Sequence, residues 1–136
     1  MDLLARREHS RRELENKLIL RSFDENLIGE VLDKLEQDGL LSNQRFAQSF
    51  VESRYAKGQG PHRIRRELAE RGINASGEWF DDARFDWIAL ARKTRSKRFG
   101  PEPPADIKAK SRQTRFLEYR GFDGEQIRRA LEFGDE

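Results

Sequence analysis

The chain has 136 residues, 35% of them hydrophobic and 38% charged, with 27 Lys and Arg against 25 Asp and Glu. So lean an apolar fraction suits a surface-rich helical protein better than a large compact globule. Cysteine is absent, which excludes disulfides, thiolate metal sites and cysteine catalysis. No apolar run approaches the roughly 20 residues that span a bilayer, and residues 1–8 lack the apolar region of a signal peptide. The expected location is the cytoplasm.

Residues 1–8 read as a short helix. Ser10-Arg11-Arg12-Glu13 is a capping box that starts a second helix, with Leu14 and Leu18 inward, ending at Ser22. Asp24 caps the next, where Leu27, Ile28, Val31, Leu32 and Leu35 recur at helical spacing and Gly39 closes. Ser42 caps a helix that turns Phe46, Ala47, Phe50 and Val51 inward. The break Lys57-Gly58-Gln59-Gly60-Pro61 follows, with Pro61 placed as a first helical residue. That helix carries Ile64 and Leu68 and stops at Gly72; residues 74–85 then form a shorter helix with Trp79, Phe80 and Ala83 inward. Residues 86–99 present Trp87, Leu90, Ala91 and Thr94 on one face. After the stiff linker Gly100-Pro101-Glu102-Pro103-Pro104, residues 106–120 form a basic helix anchored by Ile107, Phe116 and Leu117. Asp123 caps the last helix, which holds Ile127, Ala130 and Leu131. No stretch alternates with period two, so the expectation is all-α, about nine helices and no strands.

One corner occurs three times. Leu18-Ile19-Leu20-Arg21-Ser22-Phe23-Asp24, Leu68-Ala69-Glu70-Arg71-Gly72-Ile73-Asn74 and Leu117-Glu118-Tyr119-Arg120-Gly121-Phe122-Asp123 share a Leu, an Arg, a small residue, a large apolar residue and a capping Asp or Asn. Their spacings of 50 and 49 residues mark a repeat architecture. The phase gives three three-helix units, at 1–40, 41–85 and 86–136, stacked as an elongated, curved array. Charge follows the same phase. Residues 5–21, 54–71 and 92–120 carry nets of +3, +4 and +7, whereas 24–38, 76–86 and 123–136 carry −5, −3 and −3.

Catalytic constellations are not evident. His9 and His62 do not occupy equivalent repeat positions, and both flank helix starts, where a cap or surface role is the ordinary one. Asp81-Asp82 lies in an expected first helical turn, where the helix dipole accounts for it. The sequence Gly58-Gln59-Gly60-Pro61 is too short for a phosphate loop. What remains is basic: Arg63, Arg65 and Arg66; Arg92, Lys93, Arg95, Lys97 and Arg98; and Lys108, Lys110, Arg112 and Arg115. These twelve are the expected partner-binding residues, facing a nucleic-acid backbone or an acidic protein surface. A single such cluster is ordinarily a solvated or internally salt-bridged face, but the +7 excess over 92–120 exceeds what nearby acids neutralise. The corner arginines Arg21, Arg71 and Arg120 sit in last helical turns, which suits either a structural or a binding role. Trp79, Trp87, Phe46 and Phe50 are expected in the core.

The order of these motifs resembles the RecX regulators of the bacterial RecA recombinase. The residues concerned are Leu3 to Leu14, then Leu40-Leu41-Ser42-Asn43-Gln44-Arg45-Phe46-Ala47, then Gly58 to Ile64 with Glu67-Leu68 and Arg71-Gly72-Ile73. Lys97-Arg98-Phe99-Gly100 and the run from Arg115 to Phe122 complete the series. The resemblance spans essentially the whole chain. It implies three tandem three-helix units, no enzymatic activity and no cofactor. It also implies a monomer that binds the RecA–single-stranded DNA filament, along its helical groove, and inhibits ATP hydrolysis, strand exchange and co-protease activity. Non-specific single- or double-stranded DNA contact is compatible with the charge, and a membrane role is not implied. The alternative reading is a sequence-specific DNA-binding protein of tandem helix-turn-helix-like repeats. It is disfavoured because the two tryptophans, Trp79 and Trp87, lie eight residues apart instead of recurring evenly with the repeat.

Overall fold

Residues 7–75 and 79–132 are described by a computed structural model, and among them lie seven α-helices and no strand. The helices are α1 (Arg11–Leu20), α2 (Glu25–Gln37), α3 (Asn43–Ala56), α4 (Pro61–Glu70), α5 (Trp87–Phe99), α6 (Ile107–Arg120) and α7 (Gly124–Ala130). Most start where a side chain satisfies an otherwise orphaned N–H group. The Ser10 hydroxyl accepts from Glu13 N at 3.1 Å while Glu13 accepts from Ser10 N at 3.2 Å, the reciprocal pair anticipated from sequence. Asp24, Ser42, Asp86, Asp106 and Asp123 cap α2, α3, α5, α6 and α7. Helix α4 starts at Gly60 with Pro61 in its first position, so one donor is simply removed.

The three corners close identically. Phe23, Ile73 and Phe122 donate their N–H to the carbonyls of Leu18, Leu68 and Leu117 at 3.2, 3.0 and 3.1 Å. Ser22, Gly72 and Gly121 donate to Ile19, Ala69 and Glu118 at 2.9, 3.0 and 3.0 Å. This double bond pattern is a Schellman closure, and it requires a left-handed residue at the small position. Ser22, Gly72 and Gly121 have φ of 66°, 82° and 101°.

Burial divides into three clusters. Leu14, Leu18, Ile28, Leu32, Leu35 and Leu41 join α1 to α2. Phe46, Phe50, Val51, Ile64, Leu68, Ile73 and Phe80 join α3 to α4. Leu90, Ala91, Leu117, Phe122, Ile127 and Ala130 join α5, α6 and α7. The accessible surface is 9000 Å² for a mass of 16.0 kDa, against about 7,400 Å² for a compact monomer of that mass. Separate small cores and excess surface are the signature of stacked units.

The units join through their corners. Gly60 N donates to Arg120 O at 2.8 Å and His62 N donates to Gly121 O at 2.9 Å. The third corner thus supplies acceptors to the first N–H groups of α4. A Cβ on Gly60 would lie 2.4 Å from Gly121 C, and one on Gly121 would lie 2.3 Å from Arg63 Cβ. The second corner meets the start of α1 in a similar way, for a Cβ on Gly72 would lie 2.9 Å from Arg12 Cβ.

Several expectations are corrected. Among the described residues the helix count is seven, not about nine. Most of the expected helix at 1–8 lies outside the described residues, and Arg7 and Glu8 are not helical. Of 74–85, residues 76–78 lie outside them, and the rest is not α-helical. Here the Asp82 carboxylate accepts from Arg84 N at 2.9 Å and Asp82 O accepts from Phe85 N at 3.0 Å, a local turn that competes with the helix ladder. Asp81-Asp82 is therefore not in a helical first turn. Leu27 and Val31 are exposed, because α2 meets α1 through Ile28, Leu32 and Leu35, one step around the helix. Ile107 and Ala83 are also exposed, Ile107 because the first turn of α6 precedes the residues that reach the core.

Candidate partner-binding surface

Cations on this surface fall into three environments. Arg63 is half-buried and salt-bridged to Glu67 at 3.0 Å, with Tyr119 5.4 Å away beneath its guanidinium. Arg65 is exposed and lies over Phe80 at 4.8 Å, and Arg66 is exposed. Arg92 is half-buried and donates to Arg129 O at 3.2 Å. Arg63, Arg65 and Arg92 lean on the scaffold.

Arg95 is not a surface residue. Only 1% of it is exposed, and its guanidinium donates to Gln113 Oε1 at 2.8 Å, to Gly100 O at 3.2 Å and to Glu102 O. Burial pushes its pKa below the ordinary arginine value, although a guanidinium stays charged. The sequence expectation placed Arg95 at the partner interface; its helical phase instead points it between α5 and the α5–α6 linker. There the fork of donors satisfies carbonyls that a proline-rich turn cannot pair internally.

The remaining members are solvent-facing. Lys108, Lys110, Arg112 and Arg115 are exposed along α6, and among the described residues none forms a salt bridge. Lys110 and Arg115 flank a shallow depression that also touches Ile107, Ser111 and Thr114. Lys93, Lys97 and Arg98 line a deeper cleft of about 380 Å³ between the end of α3 and the α5–α6 pair. Its other cations are Lys57 and Arg120, which the sequence reading had not placed in the binding set. Both lie at chain breaks, Lys57 before Gly58 and Arg120 in the third corner. Recognising that breaks meet at the unit joints would have drawn them in.

The joint shapes that cleft. Gly58, at φ 82°, brings its backbone against α5, where a Cβ would lie 3.1 Å from Thr94 Oγ1. Arg120 Nη1 donates to Lys57 O at 3.3 Å. The guanidinium carbons of Arg98 and Arg120 lie 5.8 and 5.4 Å from the Phe116 ring centroid, so two planar cations converge on one ring. Among the described residues no Asp or Glu lines this cleft. The corresponding cleft at the first joint, about 300 Å³, contains Glu8 and Glu13 beside Arg7, Arg54, Arg71 and Lys57, which borders both clefts. Glu13 bridges Arg7 at 3.3 Å and Arg71 at 3.4 Å.

The corner arginines consequently differ. Arg71 also donates to Glu67 O at 2.9 Å and is held as part of the scaffold. Arg120 donates to a carbonyl, lies over Phe116 and lines the cationic cleft, and among the described residues it forms no salt bridge. Arg21 is exposed. Of the histidines, His62 is exposed whereas His9 is 1% exposed, which the sequence reading, placing it as a cap or surface residue, did not anticipate. A second surface feature was also missed: Leu20, Phe23, Leu27, Val31 and Leu40 are all exposed on the first unit. Leu27 and Val31 fall on one stripe of α2, and Phe23 lies in the corner just before it. Among the described residues no group of His, Asp and Glu is arranged to hold a metal, and no helix is long and apolar enough to cross a membrane.

Three tandem helical units, joined through repeated corners and carrying a strongly cationic face, define an all-α repeat protein. Three family models match the chain in tandem: the first three-helix domain of RecX over residues 1–35, the second over 42–76 and the third over 86–131. The Regulatory protein RecX of Halorhodospira halophila (strain DSM 244 / SL1) is 49% identical over 137 residues, covering 98% of this chain and 84% of the relative. That of Pseudomonas entomophila (strain L48) is 43% identical, covering 96% and 86%. The chain belongs to the RecX family. Crystal structures share the fold: a regulatory protein RecX at TM-score 0.76 and 24% identity, covering 93% of this chain and 65% of that one, and RecX from Lactobacillus salivarius at 0.76 and 20%, covering 96% and 88%.

Proposed function

We propose that this chain is a non-enzymatic, cytoplasmic regulator that binds the filament of RecA on single-stranded DNA. It lies along the helical groove and inhibits ATP hydrolysis, strand exchange and co-protease activity. The observation that carries this reading is the uncompensated cationic face of α5 and α6 in a chain whose relatives are named regulatory proteins. Its binding members are Lys93, Lys97, Arg98, Lys108, Lys110, Arg112 and Arg115, with Arg65 and Arg66 on the adjoining unit. A filament offers a repeating anionic and protein surface, and units taken as 1–40, 41–85 and 86–136 provide a repeating ligand for it. The exposed Phe23, Leu27 and Val31 supply apolar area for the protein part of that contact.

Adding the chain to RecA on single-stranded DNA tests this directly. Sub-stoichiometric amounts lower the DNA-dependent ATPase rate if the reading holds; an unchanged rate at equimolar protein refutes it.

A further inference from the structure

We propose that the cleft between the second and third units is a phosphate site for one strand of single-stranded nucleic acid. The inference rests on the cationic reading of α5 but not on filament regulation, since the chain alone contains every group it uses. Five cations, Lys57, Lys93, Lys97, Arg98 and Arg120, surround about 380 Å³ with no carboxylate among the lining residues. Among the described residues none of the five forms a salt bridge. Like charges gathered in a concave site repel one another, and an anion with several oxygens relieves this.

The repeat supplies an internal comparison. The first joint has a cleft of similar size lined by Arg7, Arg54, Lys57 and Arg71, but Glu8 and Glu13 line it too, and Glu13, at the third position of α1, bridges Arg7 and Arg71. Fifty residues on, the corresponding third position of α4 is Arg63. The same architecture carries carboxylates among its cations at one joint and none at the other, where the positive excess is larger and open to an external anion. The floor identifies the kind of anion. Leu90 and Phe116 form an apolar base below the cations, and the Phe116 ring is partly accessible. A flexible single strand can place a phosphate between the guanidinium forks while its sugar and base rest on that floor. A duplex keeps its bases stacked inward and offers the rim alone. An acidic peptide would satisfy the cations but brings no sugar or base to cover the accessible part of Leu90 and Phe116.

Fluorescence anisotropy of a labelled oligothymidylate with the full chain tests the site. The affinity should fall with salt between about 50 and about 200 mM, with a slope near −0.7 per phosphate neutralised. Lys93→Gln with Lys97→Gln should weaken binding by about tenfold or more and reduce the slope by roughly 1.4, because two contacts are lost. Arg21→Gln with Lys34→Gln, an equal change of charge on the first unit, should leave both unchanged. Circular dichroism confirms that each variant is folded, and Leu90→Met, which keeps the cleft apolar, checks that repacking alone does not abolish binding. The proposal is overturned if the cleft pair binds like the parent chain or if the two pairs lose affinity equally. It is also overturned if a duplex of the same length binds as tightly, or if polyglutamate displaces the strand at equal charge concentration. The filament ATPase assay scores the regulatory reading separately and enters neither outcome.

Discussion

Ser22 occupies a left-handed backbone at φ 66° where the two equivalent corners use Gly72 and Gly121. A non-glycine residue there costs roughly 1–2 kcal/mol, and glycine loses about half of that gain to chain entropy. Ser22→Gly should therefore stabilise the first unit by about 0.5–1 kcal/mol, read as a higher urea midpoint; a lower midpoint would mean that the serine side chain contributes more than its strain. His9 makes a different prediction. Its Nδ1 lies 3.1 Å from Arg7 O and its Nε2 3.0 Å from Lys17 Nζ, so the ring is neutral, donating from Nδ1 and accepting from the ammonium. Burial first, then the Arg7 and Lys17 charges, hold its pKa below the ordinary value. The unfolded chain then binds more protons as pH falls through about 6.5. Stability is full above that pH and declines below it toward the depressed folded value. His9→Gln should flatten this decline between about pH 7.5 and 5.5, measured as urea midpoints; an equal decline in the variant would place the titration elsewhere. The sequence placed His9 beside a capping box, but burial and a lysine eight residues away are tertiary facts.

At the scale of elements, caps and corners were legible because both are local chemistry: a side-chain oxygen two or three residues before an N–H, or a small residue after a helix. Ser10, Asp24, Ser42 and Asp123 all cap as read. The segment 74–85 was not legible, since its apolar residues have helical spacing yet serve an aromatic joint. Tyr55, Phe80 and Phe85 pack on Trp87 with centroids 5.0–6.0 Å apart in the ring pairs, and Trp87 Nε1 donates to Phe80 O at 2.8 Å. Arg95 failed for a related reason: a composition count treats all cations alike, whereas burial separates one from four neighbours on the same helix. The α5–α6 linker depends on it. Arg95→Ala leaves the Gly100 and Glu102 carbonyls and Gln113 without their charged donor. A loss of about 2–4 kcal/mol is expected, and Arg95→Lys, a point charge without the fork, should recover only part of it. Denaturant unfolding checks this. A variant as stable as the parent but weaker in partner binding would return Arg95 to the interface.

Across the whole molecule, the three cores are small and separate, so stability depends on each unit and on the joints between them. The corner that marks the period in sequence is also the joint in space, and that second role was invisible because it links residues about 60 apart. Arg120 O and Gly121 O accept from Gly60 N and His62 N, and Gly60 has no room for a Cβ. Gly60 itself has φ −83° and ψ 168°, which alanine adopts freely. Gly60→Ala therefore strains the joint without straining its own backbone. Losing the two joint hydrogen bonds costs roughly 1–3 kcal/mol, which lowers the melting temperature of a unit of this size by about 5–15 °C. Calorimetry should show the single transition broadening or splitting as the third unit uncouples from the second. Gly29→Ala is the matched control: nothing lies within 4 Å of its Cβ, and removing a mid-helix glycine should stabilise α2 by about 0.5–1 kcal/mol. Because the cationic cleft has one wall on each side of the joint, Gly60→Ala should also reduce binding of oligothymidylate while leaving helicity by circular dichroism nearly intact. An intact cooperative transition with undiminished binding would show that the units hold together through their aromatic contacts and not through the corner.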